Sequence, residues 1–449
     1  MSSDRVLIKH GQVVLPSDGV EEAKVADILI ENGIITRVEN LIEEEADEVI
    51  DASGCVVSAG LIDTHRHNWQ GVLRGALPNG DLPQYVDSIL GGYGGAFEPE
   101  DVYASNLLGA ASALDSGITT MLDWSHISNT PAHSDAAVES LVASGIRGVY
   151  AHGWPINDLD GWTGVENTRV HPEDIRRIAH AWASRERLTI AMAVRGPEFV
   201  SYEATAADVR LARELGIRMS VHIGGGAWGA QRAGVEHMNS DNLLGPDITF
   251  IHGNTCSDQA LALIADSGGS ISASPQIEMQ MGHGPSSFAR FERAGLVPSL
   301  SVDTECCVAG DMFGVMRSAF QGSRMEAHAL VAEGTGASVP KVQDVLAWAT
   351  IQGARACGLD DEIGSLDVGK RADIVIFDFR GPDTFPSASA VGSIVLYGSR
   401  QHVKHVLVDG KIVKRDGRLQ SVDWPSVLVN AERAYNRILL RHPQTTTLG

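Results

Sequence analysis

Between about residues 59 and 363 the sequence repeats one pattern eight times: a short apolar run, then a longer stretch with helical spacing. The runs are LIDTH (61–65), ITTMLDW (118–124), IRGVYAH (146–152), LTIAMAV (188–194), IRMSVH (217–222), ITFIH (248–252), GSISAS (269–274) and VPSLSVD (297–303). Stretches such as DVYASNLLGAASALDSG, PEDIRRIAHAWASR and SDQALALIADSG lie between them, and several close on the glycine that commonly ends a helix. Near-continuous apolar strands alternating with helices are strands buried on both faces. The pattern therefore predicts an α/β chain built around a parallel (β/α)8 barrel. The competing arrangement, an open doubly wound sheet, calls for a glycine-rich phosphate turn after an early strand, and the sequence has none.

Two blocks flank the repeat. Residues 1–58 and 364–420 read as short strands with turn punctuation: RVLIKHGQVVL and ADILIENGIITRV on one side, ADIVIFDF, SIVLYG and VKHVLVDGKIVKRDGRL on the other. Asn32-Gly33 and Asp409-Gly410 are hairpin signals. Neither block can bury a sheet alone, so the two are expected to pair as one small β-sandwich domain made from both ends of the chain. Residues 59–363 are then the barrel. Residues 421–449 form a helical tail that packs on the barrel or on a neighbour. The acidic run IEEEADE reads as a solvated loop.

The 449-residue chain carries 57 acidic against 35 basic side chains, a formal charge of −22. Phosphate recognition needs clustered Lys and Arg, so neither nucleic acid nor an anionic membrane is an expected partner. No run of about 18 apolar residues predicts a membrane span. Cys55, Cys256, Cys306, Cys307 and Cys357 are irregularly spaced with no C-x-x-C pair, which excludes a thiolate zinc ribbon. With no signal-peptide pattern, that cysteine usage points to a reducing cytoplasm.

Five of the eight strands end on, or run just into, a histidine or aspartate: His65 and His67, His152, His222, His252 and Asp303. Active sites of such barrels gather at the C-terminal ends of the strands. Two histidines two apart on a strand face the same side and suit two ligands of one metal ion. Repeated polar termination of apolar strands is hard to explain by packing. Arg66, between the pair, is expected to point away, into the barrel wall or the β domain. Trp69, Gln70, Trp124, His126, His152 and Arg195 follow strand ends and read as pocket lining for a small cyclic or aromatic substrate.

The motifs SAGLIDTHRH, SVH, FIHGN and SVDTE, with the late stretch ATIQGARACGLDDEIGSLDVGKRADIVIFD, resemble the amidohydrolase superfamily over nearly the whole chain. The similar branch contains triazine hydrolases, S-adenosylhomocysteine and related adenosine-type deaminases, and cytosine deaminase. The resemblance implies a metal-bearing barrel with a β-sandwich from both termini. It makes His65 and His67 the first-strand metal pair, His222 the fifth-strand ligand, and Asp303 the eighth-strand aspartate that touches the metal and moves protons. It makes His252 the histidine that polarises substrate or steadies the attacking water. Three imidazoles and a carboxylate suit zinc first and iron(II) second. The fourth strand is followed by Arg195 and carries no bridging lysine, which implies one ion rather than two. The implied chemistry is hydrolysis of a non-peptide C–N bond, with metal-activated hydroxide attacking and Asp303 passing the proton to the leaving group. Deamination of a heterocyclic amine or cyclic amidine is the first expectation. Removal of chloride or an alkylamine from a triazine-like ring, or hydrolysis of an amide, urea or carbamate, is the alternative; an inactive scaffold is a remote one. A homodimer or homotetramer is also implied.

One departure stands out. The branch places a glutamate three residues after the fifth-strand histidine, where this chain has Gly225 in SVHIGGGAWGA. Glu278 and His283, both in SPQIEMQMGHG, are candidates to replace it, and Glu305 is a third. Gly224 to Gly226, followed by Trp228, either let backbone approach a ligand beside an aromatic ring or form a plain flexible loop. Cys306 and Cys307 read as packing residues.

Overall fold

The computed structural model describes residues 4–442 apart from 18, 21, 22, 184 and 286. Its centre is a ring of eight parallel strands in chain order: β1 (Leu61–Arg66), β2 (Ile118–Ser125), β3 (Arg147–His152), β4 (Leu188–Val194), β5 (Arg218–Ile223), β6 (Ile248–His252), β7 (Ser270–Ala273) and β8 (Ser299–Leu300). Every residue of β2 and β3 is buried, as their unbroken apolar runs require. The ring closes between Arg66 and Asp303. There the Asp303 N–H donates to the His65 carbonyl (2.9 Å) and the His67 N–H to the Asp303 carbonyl (2.8 Å). β8 is shorter than VPSLSVD predicts, because Asp303 takes a positive φ of 71° and leaves extended geometry. Helices return the chain between strands. Pro131–Ser144 and Tyr202–Leu215 each stop on a glycine in the left-handed conformation, Gly145 (φ 85°) and Gly216 (φ 67°).

The two flanking blocks join into one mixed sheet of nine strands. The seam is Val56–Ala59, parallel to Arg5–Val13 on one side and antiparallel to Ile374–Phe377 on the other. The small β domain has a core of its own, including Ile8, Ile28, Val57, Ile374 and Leu407. Asn32-Gly33 (φ 53° and 81°) and Asp409-Gly410 (φ 55° and 74°) form the expected hairpin turns. One expected strand is helix instead: Ser393–Tyr397 of SIVLYG continues the turn Ala390–Gly392. A short unbroken apolar run is compatible with either state. Here the Ser389 side chain accepts the Gly392 N–H and starts a helix that buries Ile394 and Val395 in the barrel core.

The helix Trp424–Arg441 packs on the barrel helix Pro99–Asp115, where Arg437 and Arg441 both donate to the buried Asp101. Residues 443–449 of the expected tail lie outside the described residues. Among the described residues no helix is long and apolar enough to cross a membrane.

Candidate metal centre

The ends of β1, β5 and β6 and the segment after β8 bring five ligand-type side chains to one point. The Nε2 of His65 lies 3.2 Å from the Nε2 of His222 and 3.5 Å from Asp303 Oδ1. His67 Nε2 lies 3.3 Å from the same oxygen, and His252 Nε2 lies 3.7 Å from Asp303 Oδ2. Two overlapping groups, His65–His67–His222 and His65–His252–Asp303, each have their ligand atoms within 4.8 Å of one another. Burial, ahead of neighbouring charges, lowers the pKa of both His65 and His222, so both rings are neutral at pH 7. Two neutral Nε2 atoms at 3.2 Å need a positive charge between them or a shared proton. This nitrogen and oxygen donor set fits a divalent transition metal.

The groups behind these side chains fix their tautomers. His67 Nδ1 lies 2.9 Å from the Trp124 carbonyl, which can only accept, so the proton sits on Nδ1 and the Nε2 lone pair faces the centre. Burial, reinforced by His65, lowers the His67 pKa to about 3. His252 Nδ1 donates to Glu278 at 3.2 Å. Burial would lower the His252 pKa, but Glu278 and Asp303 together outweigh it and raise the value. Burial likewise pushes the Asp303 carboxyl up, and His65, His252 and His67 more than offset this, holding it below the usual carboxylate range. Both His252 (φ 76°) and Asp303 (φ 71°) have left-handed backbone. Each such residue costs roughly 1–3 kcal/mol and persists where its surroundings hold it.

A cavity opens over this point. His67, His222, His252 and Asp303 line its floor with His126 and His283, while Leu82, Val86, Leu90, Trp162, Phe199 and Met281 line its outer wall. His126 stacks on His67 with ring centroids 4.3 Å apart and planes 11° from parallel. Its Nδ1 accepts the Trp69 indole N–H at 2.9 Å. An indole only donates, so neutral His126 carries its proton on Nε2, as a donor; burial keeps it neutral. His283 is buried with both ring nitrogens lacking a protein hydrogen bond, and burial lowers its pKa to about 3.

Sequence reasoning missed Glu198, which also lines the cavity. It lies four residues beyond β4, in RGPEF, where local composition reads only as loop. Its Oε1 accepts the Gly224 N–H at 2.7 Å. Burial, opposed by the N–H groups of Gly224 and Gly225, raises its carboxyl to about 7. Gly224 is glycine for a reason: its φ is 60°, and a Cβ there would sit 2.8 Å from Gly253 backbone. Gly225 has no such constraint, since its φ is −90° and nothing lies within 4 Å of a Cβ added there.

Several expected pocket residues sit elsewhere. Glu278 stands behind His252, accepting also from the Ser274 N–H (2.7 Å), and does not reach the cavity wall as a replacement proton donor would. Trp69 and Gln70 lie one layer back. Gln70 donates to the Tyr85 hydroxyl at 2.6 Å and accepts from Thr304, and Tyr85 and Thr304 form the wall instead. Trp124 lies against the His222 ring (centroids 4.5 Å apart) and donates to the Ser220 carbonyl. His152 and Arg195 face away from the cavity. His152 meets His171 (2.9 Å) and Asp174 (3.4 Å); Arg195 stacks on Trp154 (4.0 Å) and pairs with Asp208 (3.6 Å). Arg66 points into the barrel wall, paired with Asp63 at 2.7 Å. Glu305 is taken up by Arg74 at 3.0 Å. The Trp228 side chain lies outside the described residues.

Comparison with known proteins adds an independent line. The profile of the "Amidohydrolase family" matches residues 56–413. A 5'-deoxyadenosine deaminase of Methanosarcina mazei is 25% identical over 97% of this chain and 99% of its own length. A 5-methylthioadenosine/S-adenosylhomocysteine deaminase of Symbiobacterium thermophilum is 27% identical over 87% of this chain and 88% of its own. Among solved structures, an adenosine deaminase from Xanthomonas campestris with bound zinc superimposes with a TM-score of 0.83 at 21% identity, covering 97% of this chain and 98% of that one. An atrazine chlorohydrolase variant from Arthrobacter aurescens, complexed with zinc and atraton, gives 0.84 at 20% identity, covering 96% of this chain and 100% of that one. At such identities the superpositions show a shared fold.

Proposed function

The chain belongs to the amidohydrolase family, and from that premise we propose that it is a one-metal hydrolase, zinc-dependent by first choice, that deaminates a heterocyclic amine. The observation that carries this reading is the convergence of His65, His67, His222 and Asp303 on one point at the cavity floor. The two candidate ligand groups share His65, which supports one ion rather than two. When bound, a divalent metal there supplies Lewis-acid activation of water at neutral pH.

The protein's own groups do the rest. Asp303, held ionised, takes the proton from the attacking water and returns it to the departing amine. His252, fixed by Glu278, stabilises the charge that develops at the reacting carbon's substituents. His126 offers an Nε2–H to the substrate from a ring locked by Trp69. The apolar outer wall excludes water and holds the ring. Among the described residues no Lys or Arg lines the cavity, so it has no partner for a carboxylate or phosphate on the substrate. A neutral ring bearing an apolar substituent is the substrate class this wall suits. The relatives' names point to adenine-type nucleosides, which places aminopurines first in an assay panel.

The experiment is ammonia release from aminopurines, aminopyrimidines and amino-triazines by zinc-reconstituted protein, alongside metal analysis. Turnover of one ring class with about one equivalent of metal is the expected result. Silence across that panel, with turnover of amides or ureas, would sink deamination.

A further inference from the structure

Two carboxyl groups, Asp303 and Glu198, line the cavity in different surroundings. Asp303 sits among imidazoles, 3.5 Å from His65 and 3.3 Å from His67. Glu198 also lines the cavity, buried between Pro197 and Phe199, and among the described residues no Lys, Arg or His side chain lies at hydrogen-bond distance from it. Its charged neighbours, His252 and Arg232, favour its ionised form, and the uncharged Cys256 thiol lies in the loop after β6. Burial dominates and leaves the carboxyl protonated to about pH 7. One carboxyl set among imidazoles and another buried at the wall of the same cavity suit a base and an acid in one site.

We infer that Glu198 is the acid of this active site: it donates its proton to a ring nitrogen of the substrate while Asp303 removes one from the attacking water. The inference rests on the hydrolytic reading of the site. The atoms balance as follows. The C–O bond forms as the ring C=N bond opens; Glu198 protonates that nitrogen, and Asp303 holds the proton from water. The exocyclic C–N bond then breaks, with the amine leaving on the proton from Asp303. The new hydroxyl becomes a carbonyl by returning its proton to Glu198, so both groups regain their starting states.

The geometry explains why the loop after β5 can dispense with an acid of its own. The position that would carry one is Gly225, and the carboxyl of Glu198 is anchored against it by the neighbouring Gly224 N–H. The acid has moved from one rim loop to the next while staying at the same wall. The space above Gly225 is open, so a side chain placed there has room.

Glu198→Gln tests this, because the amide oxygen can still accept from Gly224 and a purely structural role would survive. With a substrate the wild type turns over, kcat should fall by about 100-fold or more with KM little changed and metal content equal to wild type. The alkaline limb of the wild-type profile, as Glu198 loses its proton above about pH 7, should vanish. The double variant Glu198→Gln with Gly225→Glu should regain at least about tenfold. Wild-type turnover in Glu198→Gln overturns the inference. A second readout needs no substrate: the infrared difference between wild type and Glu198→Gln should show a carboxylic-acid band titrating near neutral pH. A carboxylate already ionised at pH 5 refutes the acid role even if no panel member is turned over. Silence of the wild type on the panel counts against the hydrolytic reading instead.

Discussion

Two parts of the barrel rim look alike in sequence and differ in what they do. β1, β5 and β6 carry His65, His222 and His252 at their C-terminal ends, while β3 ends on His152 and Arg195 follows β4, each after an apolar run. In the first part the polar groups point at one another and at a cavity, with the Nε2 atoms of His65 and His222 facing at 3.2 Å. In the second part the side chains turn from the cavity to carboxylates of their own: Asp174 beside His152, Asp208 beside Arg195. The lesson is that a polar strand end marks chemistry when it faces a cavity together with other ligand-type groups, and marks structure when it turns away to a partner behind the barrel.

The largest effect that could break this contrast is metal removal. Exhaustive chelation should abolish turnover and lower the melting temperature, with one equivalent of zinc restoring both; full activity in verified metal-free protein would dissolve the distinction. Next comes Asp303→Asn, expected to lower kcat by about 10³-fold or more while the three imidazoles keep much of the metal. Metal content and kcat measured together check it, and near-normal turnover would remove Asp303 from proton transfer. On the structural side, Arg195→Leu leaves Asp208 buried without its partner and should cost about 3–5 kcal/mol of stability. Denaturant unfolding measures that cost, while kcat/KM per folded molecule should stay within about twofold. A large drop in kcat/KM at normal stability would bring Arg195 back to the substrate. The smallest effect is Trp69→Phe, which removes the N–H that fixes the His126 tautomer. About a tenfold loss of kcat with unchanged metal content is expected, in line with one lost hydrogen bond of about 1 kcal/mol.

Much of this was legible in the chain itself. The alternation of strand and helix gave the barrel, and the hairpin turns at Asn32-Gly33 and Asp409-Gly410 gave the paired terminal blocks. His65 and His67 could be read as a pair because strand geometry alone puts them on one side. What stayed hidden depends on which side chains find partners across the fold. Nothing near Arg195 in sequence announces Asp208, and nothing near Glu278 says that it serves His252 rather than the substrate. Glu198 was invisible for the opposite reason. A glutamate between proline and phenylalanine in a loop is unremarkable until Gly224 and the apolar wall surround it. SIVLYG misled because its apolar run is shorter than the span needed to tell a strand from a buried helical turn.

The left-handed backbone at His252 and Asp303 has a consequence for how such a protein can change over time. Glycine is the residue most at ease in that conformation, so replacing either side chain with it relieves the backbone as it erases the chemistry. Backbone preference and side-chain chemistry therefore pull in opposite directions at these two positions. A histidine at 252 and an aspartate at 303 are held there by the partners around them, against the preference of their own backbone.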